Sequence, residues 1–108
     1  MLTGPYRIED VDKYVIYTSP GVYILSRNGK SADYVGRSDN DLASRILRSA
    51  SEGIGYTTFW FEYTSSPRDA YYKECEYYHS YNPPDNSVHP AVPQNCNWRC
   101  PNGDCKWG

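Results

Sequence analysis

The stretch from Gly21 to Gly36 constrains the fold more than any other part of the chain. Val22-Tyr23-Ile24-Leu25 is an unbroken run of β-branched, aromatic and aliphatic residues, and Tyr34-Val35-Gly36 is a second, shorter one. Runs of this kind suit a pleated, half-buried surface. Arg27-Asn28-Gly29-Lys30 lies between them. Asn-Gly between two apolar runs predicts a tight hairpin, because both central residues of that turn take positive φ. A chain containing this hairpin is committed to an antiparallel sheet.

The remaining pattern supplies what packs on it. Leu42, Ile46 and Ala50 recur every four residues and predict a helix over residues 40–50, with Ser38 and Asp41 as its S-x-x-D start signal. Tyr56 to Tyr63, YTTFWFEY, reads as a strand. Ser66-Pro67-Arg68-Asp69 has an N-cap residue followed by proline in the first helical position, so a second helix begins there and continues to Tyr81. Asn82-Pro83-Pro84 ends it. The expectation is an α+β fold: a three-stranded antiparallel sheet flanked by helices, followed by an irregular Cys-containing C-terminal tail. Residues 1–17 form an N-terminal arm, helical or irregular; residues 18–86 form the domain; residues 87–108 form a Pro/Cys-rich tail packed on the domain or extending from it.

A chain of 108 residues fits one small domain. With 12 Tyr against 2 Phe, its core must bury phenol rings whose hydroxyls need partners. The net charge of -2 excludes a strong non-specific polyanion binder. Nucleic-acid contact would depend on a local excess, and Arg27, Lys30, Arg37, Arg45 and Arg48 against Asp33, Asp39 and Asp41 provide a modest one. No apolar run is long enough to span a bilayer, and the opening MLTGPYRIEDVDKY lacks the basic and then apolar character of a leader, so the expectation is a cytoplasmic protein with no membrane partner. In that reducing setting Cys75, Cys96, Cys100 and Cys105 read as a buried thiol plus a metal cluster rather than as disulfides.

Gly21-Val22-Tyr23 and Tyr34-Val35-Gly36 on one hairpin, then Arg45 on the next helix and Glu74 on a later one, resemble the GIY-YIG nuclease family, with Val in place of each Ile. The segment TSSPRDAYYKE, Thr64 to Glu74, is similar to the one that leads into that family's metal-binding glutamate, and the resemblance covers residues 18–86. It implies a divalent-metal-dependent endonuclease that hydrolyses phosphodiester bonds in DNA, with RNA left open. It implies Mg²⁺ or Mn²⁺ on Glu74, charge stabilisation by Arg45, and Tyr34 or Tyr23 as general base for water. Asn86, or Asn82, falls where the excision-repair branch carries an asparagine. Two departures stand out: the segment between Gly36 and Arg45 is one residue longer than in the repair branch, and Ser49 occupies a place where many members have His or Tyr. Tyr56 or another tyrosine is the candidate substitute.

The residue chemistry agrees with the resemblance. A hard cation takes oxygen ligands, often only one or two carboxylates, and keeps several waters, so a single glutamate suffices. Arg45 offers a fixed cationic fork where negative charge grows at phosphorus, and Arg37, just after the second motif, can hold the phosphate with Asn86. A phenol with a pKa of about 10 is a poor base unless a neighbouring cation lowers it. Glu76 lies two residues from Glu74 and so faces elsewhere on a helix. A homodimer is the simple way for a single site to cut both strands.

Cys96, Cys100 and Cys105 follow a C-x3-C-x4-C spacing. Structural zinc takes four ligands, and the fourth could be His89, His79 or Cys75. Cys75, on the Tyr71/Cys75/Tyr78 face, also reads as a core thiol. The competing readings of the tail are a free segment or one disulfide, and Trp98 and Trp107 could stack on bases or on a partner protein. Two other functions remain: a catalytically weak nucleic-acid or protein interaction module on the same scaffold, and a small zinc-stabilised protein with no nucleic-acid role.

Overall fold

A computed structural model describes residues 1–87, 89–93 and 96–101. Strand β2 (Gly21–Ser26) and strand β3 (Tyr34–Ser38) form the expected antiparallel pair, running from Gly21↔Ser38 to Leu25↔Tyr34. Their connection differs from the expected tight turn. It occupies residues 27–33, and only Gly29 in it takes positive φ. Asn28 instead organises the loop through its side chain, whose Oδ1 accepts from the Lys30 and Ser31 N–H groups at 2.8 Å each. This is the asparagine's local turn chemistry prevailing over the two-residue hairpin.

The sheet has four strands, not three. β4 (Thr58–Tyr63) pairs along the other side of β2, and β1 (Thr3–Arg7) pairs with β4, giving the order β1-β4-β2-β3. The extra strand comes from the N-terminal arm. Its sequence TGPYR contains Gly and Pro, and only Tyr6 is even half-buried, so no alternation marks it. Tyr6 stacks on Tyr14 of α1 (Val11–Tyr14), with ring centroids 3.8 Å apart.

Alternation along the strands divides the side chains between two layers. Tyr23, Leu25, Phe59 and Phe61 form the core on one face, with Val11, Val15, and Leu42 and Ile46 of α2 (Leu42–Glu52). Helix α3 (Pro67–Tyr81) covers the opposite face, where Val22, Ile24 and Val35 are buried. α3 begins as expected, with the Ser66 side chain accepting from Asp69 N–H and Pro67 in the first turn, and it ends where left-handed Asn82 stops it. For α2 the N-cap is Asp41, whose side chain accepts from Ser44 N–H, while Ser38 closes β3. No helix among the described residues is long and apolar enough to cross a membrane.

Both motif glycines mark close approaches. A Cβ at Gly21 would lie 2.5 Å from the Glu62 carbonyl oxygen and 2.7 Å from Leu42 Cδ2. A Cβ at Gly36, directly across from Tyr23, would lie far inside van der Waals contact with Cζ and the hydroxyl oxygen of that buried ring. Gly36→Ala is therefore expected to cost about 1–3 kcal/mol through overpacking, read as a lower midpoint in urea unfolding with an unchanged slope. Unchanged stability would mean that Tyr23 can move aside.

Candidate functional site

β3 is an edge strand, and the chain wraps around that edge to form a cleft of about 810 Å³. Tyr34, Arg37, Arg45, Glu74 and Asn86 all line it. Three separate elements contribute: β3 gives Tyr34 and Arg37, α2 gives Arg45, and α3 gives Glu74. Tyr34 and Arg37 point to opposite faces of β3, so the cleft reaches both layers across the strand edge.

Arg37 is the most heavily held of these residues. Its Nη1 donates to Glu74 Oε1 at 2.6 Å, its Nη2 to the Ala91 carbonyl at 2.6 Å, and its Nε to Asp39 Oδ1 at 3.2 Å. Its guanidinium also lies over the Tyr71 ring, 5.3 Å from the centroid. Burial works against its charge, but Glu74 and Asp39 outweigh that and hold its pKa above the ordinary value. Glu74 lies beneath, with only 9% of its side chain exposed. Burial pushes its carboxyl above the usual carboxylate range, and Arg37 opposes the rise. Among the described residues Arg37 is the only hydrogen-bond partner of Glu74, and it takes Oε1, leaving Oε2 without one.

The two tyrosines separate clearly. Tyr23 is fully buried under Gly36, and its hydroxyl shares a 2.5 Å hydrogen bond with Ser49 Oγ. Burial pushes its pKa up to about 12. Ser49, the residue that departs from the family pattern, is thus the partner that satisfies this core phenol. Tyr34 lies diagonal to Tyr23 on the same face, with ring centroids 6.3 Å apart, and is only half-buried in the cleft wall. Burial and Glu74 raise its pKa, while Arg45 acts to lower it. Arg45 itself is exposed on α2.

Of the two asparagines it is Asn86 that lines the cleft, and both of its polar groups are already engaged. Its Oδ1 accepts from Val35 N–H at 2.8 Å and its Nδ2 donates to the Val35 carbonyl at 2.9 Å. That pairing clamps the segment after α3 to β3; a phosphate contact from Asn86 would have to break it. Tyr56 does not stand in at the cleft centre, because its hydroxyl donates to Asp85 and its ring packs under Arg27, 4.5 Å from the guanidinium. Arg27 Nη2 also meets Asp85 Oδ2 at 2.7 Å. These cleft-rim contacts were not evident in the sequence, since they join residues from three distant loops.

Tyr56 and Arg27 together hold the Asp85 carboxyl below its ordinary value. A depressed folded-state pKa adds stability that is full above the unfolded value of about 3.9 and is lost as pH falls through the folded value. Asp85→Asn is therefore expected to be less stable at pH 7 but flatter in its acid unfolding between pH 5 and 2 (chemical denaturation at a series of pH values). Parallel curves for the two proteins would show that Asp85 contributes nothing to acid sensitivity.

No protein-family model matches the chain, and neither a curated protein nor a solved structure matches it.

Behind Glu74 lies a second grouping. Cys75, His89 and Cys100 place ligand atoms within 4.8 Å of one another and could hold a metal ion. This set differs from the one expected from cysteine spacing. Cys96 is exposed and outside the cluster, Cys100 is buried within it, and Cys105 lies outside the described residues, as does Trp107. Cys100 reaches the core beside Tyr71 and Cys75, with Val92 and Trp98 packed around them, so this part of the tail lies on the domain. Burial pushes the Cys75 thiol up to about 12.

Proposed function

We propose that this chain is a metal-assisted phosphodiester hydrolase acting on DNA, of the GIY-YIG type. The observation that carries the reading is the single cleft in which Tyr34, Arg37, Arg45 and Glu74 meet from three elements. A conjunction of cationic forks, a phenol and a buried carboxylate at one concave edge suits attack on a phosphodiester.

Glu74 fits a hard divalent cation such as Mg²⁺ or Mn²⁺ as a lone carboxylate ligand, because its Oε2, in the cleft wall, has no hydrogen-bond partner among the described residues. Such an ion supplies Lewis-acid polarisation and a water of lowered pKa. The chain's own residues perform the rest. Arg45, exposed at the rim, binds the non-bridging phosphate oxygens and neutralises the charge that grows there. Arg37 neutralises Glu74 in the free chain, and an incoming phosphate competes for the same guanidinium. Tyr34 orients the attacking water through its hydroxyl. Burial and Glu74 raise its pKa and Arg45 offsets only part of the rise, so it takes the water's proton only as a phenolate, its own proton having left to solvent beside a cation held by Glu74. Tyr23 is withdrawn from that role by burial and by Ser49, and serves as the floor on which Gly36 rests.

The decisive assay is nicking of supercoiled plasmid at low salt with and without Mg²⁺ or Mn²⁺. Ion-dependent nicking is the expected result. One observation favours the second reading, an interaction module on the same scaffold: the cleft's Arg37, Arg45 and Arg48 are matched by Asp39, Asp41, Glu74 and Asp85. Absence of nicking on supercoiled, branched and single-stranded DNA, from folded protein, would favour that module.

A further inference from the structure

We propose that Cys75, His79, His89 and Cys100 hold one structural zinc ion, which fixes the wall of the cleft to helix α3. This inference is independent of the nuclease reading, since it concerns metal content and not activity.

Three of the four positions are already assembled, with ligand atoms of Cys75, His89 and Cys100 within 4.8 Å. Tetrahedral Zn–S and Zn–N bonds place ligand atoms about 3.3–3.8 Å apart, so closing this trio needs shifts of about 1 Å, and His79, which lies outside the 4.8 Å group, must swing in to join it. The donor types suit zinc, with two thiols and imidazole and no carboxylate. His89 is set in the right tautomer. Its Nδ1 lies 2.9 Å from the Pro90 carbonyl, which can only accept, so Nδ1 carries the proton and Nε2 presents its lone pair. A metal-bound histidine commonly donates its other N–H to a backbone carbonyl in this way.

His79 completes the set. It lies four residues after Cys75 on α3, and such pairs stack on one helix face. Its ring is 5.3 Å from that of His89, and its Nε2 is buried with no hydrogen-bond partner among the described residues. A buried unpaired imidazole nitrogen is costly, and a cation removes the cost. Held through His89, the adjoining Pro90 and Ala91 stay in the cleft wall, where the Ala91 carbonyl accepts from Arg37. Binding exchanges two thiol protons for the ion, so the site becomes electrically neutral with two thiolates and two neutral imidazoles.

The experiment is metal analysis of the untagged full chain, followed by Co²⁺ substitution. The expected result is about one zinc per chain, and a Co²⁺ form with the intense visible bands of a tetrahedral site and a near-ultraviolet thiolate-to-metal band for two thiolates. Chelation is expected to speed amide exchange at Ala91 and Val92 while leaving β2 protected. Cys100→Ser should remove the thiolate signal in part, His79→Ala should weaken binding by about tenfold or more, and Cys96→Ser should change neither. A folded wild-type chain that takes up neither Zn²⁺ nor Co²⁺ at micromolar concentration overturns the site. Full binding by His79→Ala with loss in Cys105→Ser overturns the ligand set. Because the cobalt spectrum is read on the wild-type chain, a variant that fails to fold leaves the test intact.

Discussion

On the proposed nuclease reading, Glu74→Gln is expected to lower ion-dependent nicking by about 10²–10³-fold or more while the protein stays folded. Gln keeps the volume of the side chain and an oxygen able to accept from Arg37 Nη1, which Glu74 accepts at 2.6 Å. What it removes is the charge that would hold a divalent cation. Glu74→Ala is the poorer test, because truncation leaves the guanidinium of Arg37, only 14% exposed, without its main counter-charge. The measurement is the initial rate of plasmid nicking at saturating Mg²⁺, with circular dichroism on the same sample. A Glu74→Gln protein that nicks at the wild-type rate would remove Glu74 from the chemistry and with it the single-carboxylate metal site. Arg45→Ala should lose activity with almost no loss of stability, since the Arg45 side chain is exposed.

Arg37→Ala carries the largest stability effect. Breaking a buried pair by removing one partner costs about 3–5 kcal/mol, and the residual exposure of 14% and 9% in the two side chains places this pair at the lower end. A loss of about 3 kcal/mol lowers the Tm of a chain this size by roughly 10–20 °C. The loss depends on pH with a definite sign. Burial raises the Glu74 pKa in the fold, and removing Arg37 raises it further. Between the unfolded and folded values the native state binds more protons, so stability falls as pH rises. The deficit of Arg37→Ala is therefore small below about pH 4 and grows above it. Adding Glu74→Gln should restore part of the loss at pH 7, because an amide is far cheaper to bury than a carboxylate. A double variant whose losses simply add would show that the two side chains are not energetically coupled.

Elements whose signals are local could be read in the sequence. Ser66-Pro67 fixed the start of α3 and Asn82 its end, because capping chemistry acts within a few residues. The hairpin pairing followed from two short apolar runs, but its register did not: a two-residue Asn28-Gly29 turn sets Tyr23 across from Tyr34, whereas the longer loop that Asn28 organises through its side chain sets Tyr23 across from Gly36. β1 was invisible, since an exposed edge strand with Gly and Pro has neither alternation nor propensity and is held by pairing to β4. At the site, the gathering of Tyr34, Arg37, Arg45 and Glu74 was legible as a spaced motif. Their division of labour was not. That Tyr23 is sealed and Tyr34 open depends on which face each layer covers, and that Asp39, Tyr71 and Ala91 hold Arg37 depends on contacts between distant segments. For the cysteines, spacing grouped Cys96, Cys100 and Cys105 with one of His89, His79 or Cys75, whereas the fold gathers Cys100 with both Cys75 and His89 and leaves Cys96 exposed.

The clamp of Asn86 on Val35 has a consequence beyond the cleft. An edge strand offers a row of unpaired N–H and C=O groups to any extended chain that meets it. On β3 the outward groups of Val35 are both taken by Asn86, and the Asp33 carbonyl accepts from Asp85 N–H at 3.0 Å. The segment after α3 thus acts as a guard rail along that side of the sheet. Two copies cannot zip together through β3 without first displacing it, so a dimer able to cut both strands of a duplex would have to be built through another surface.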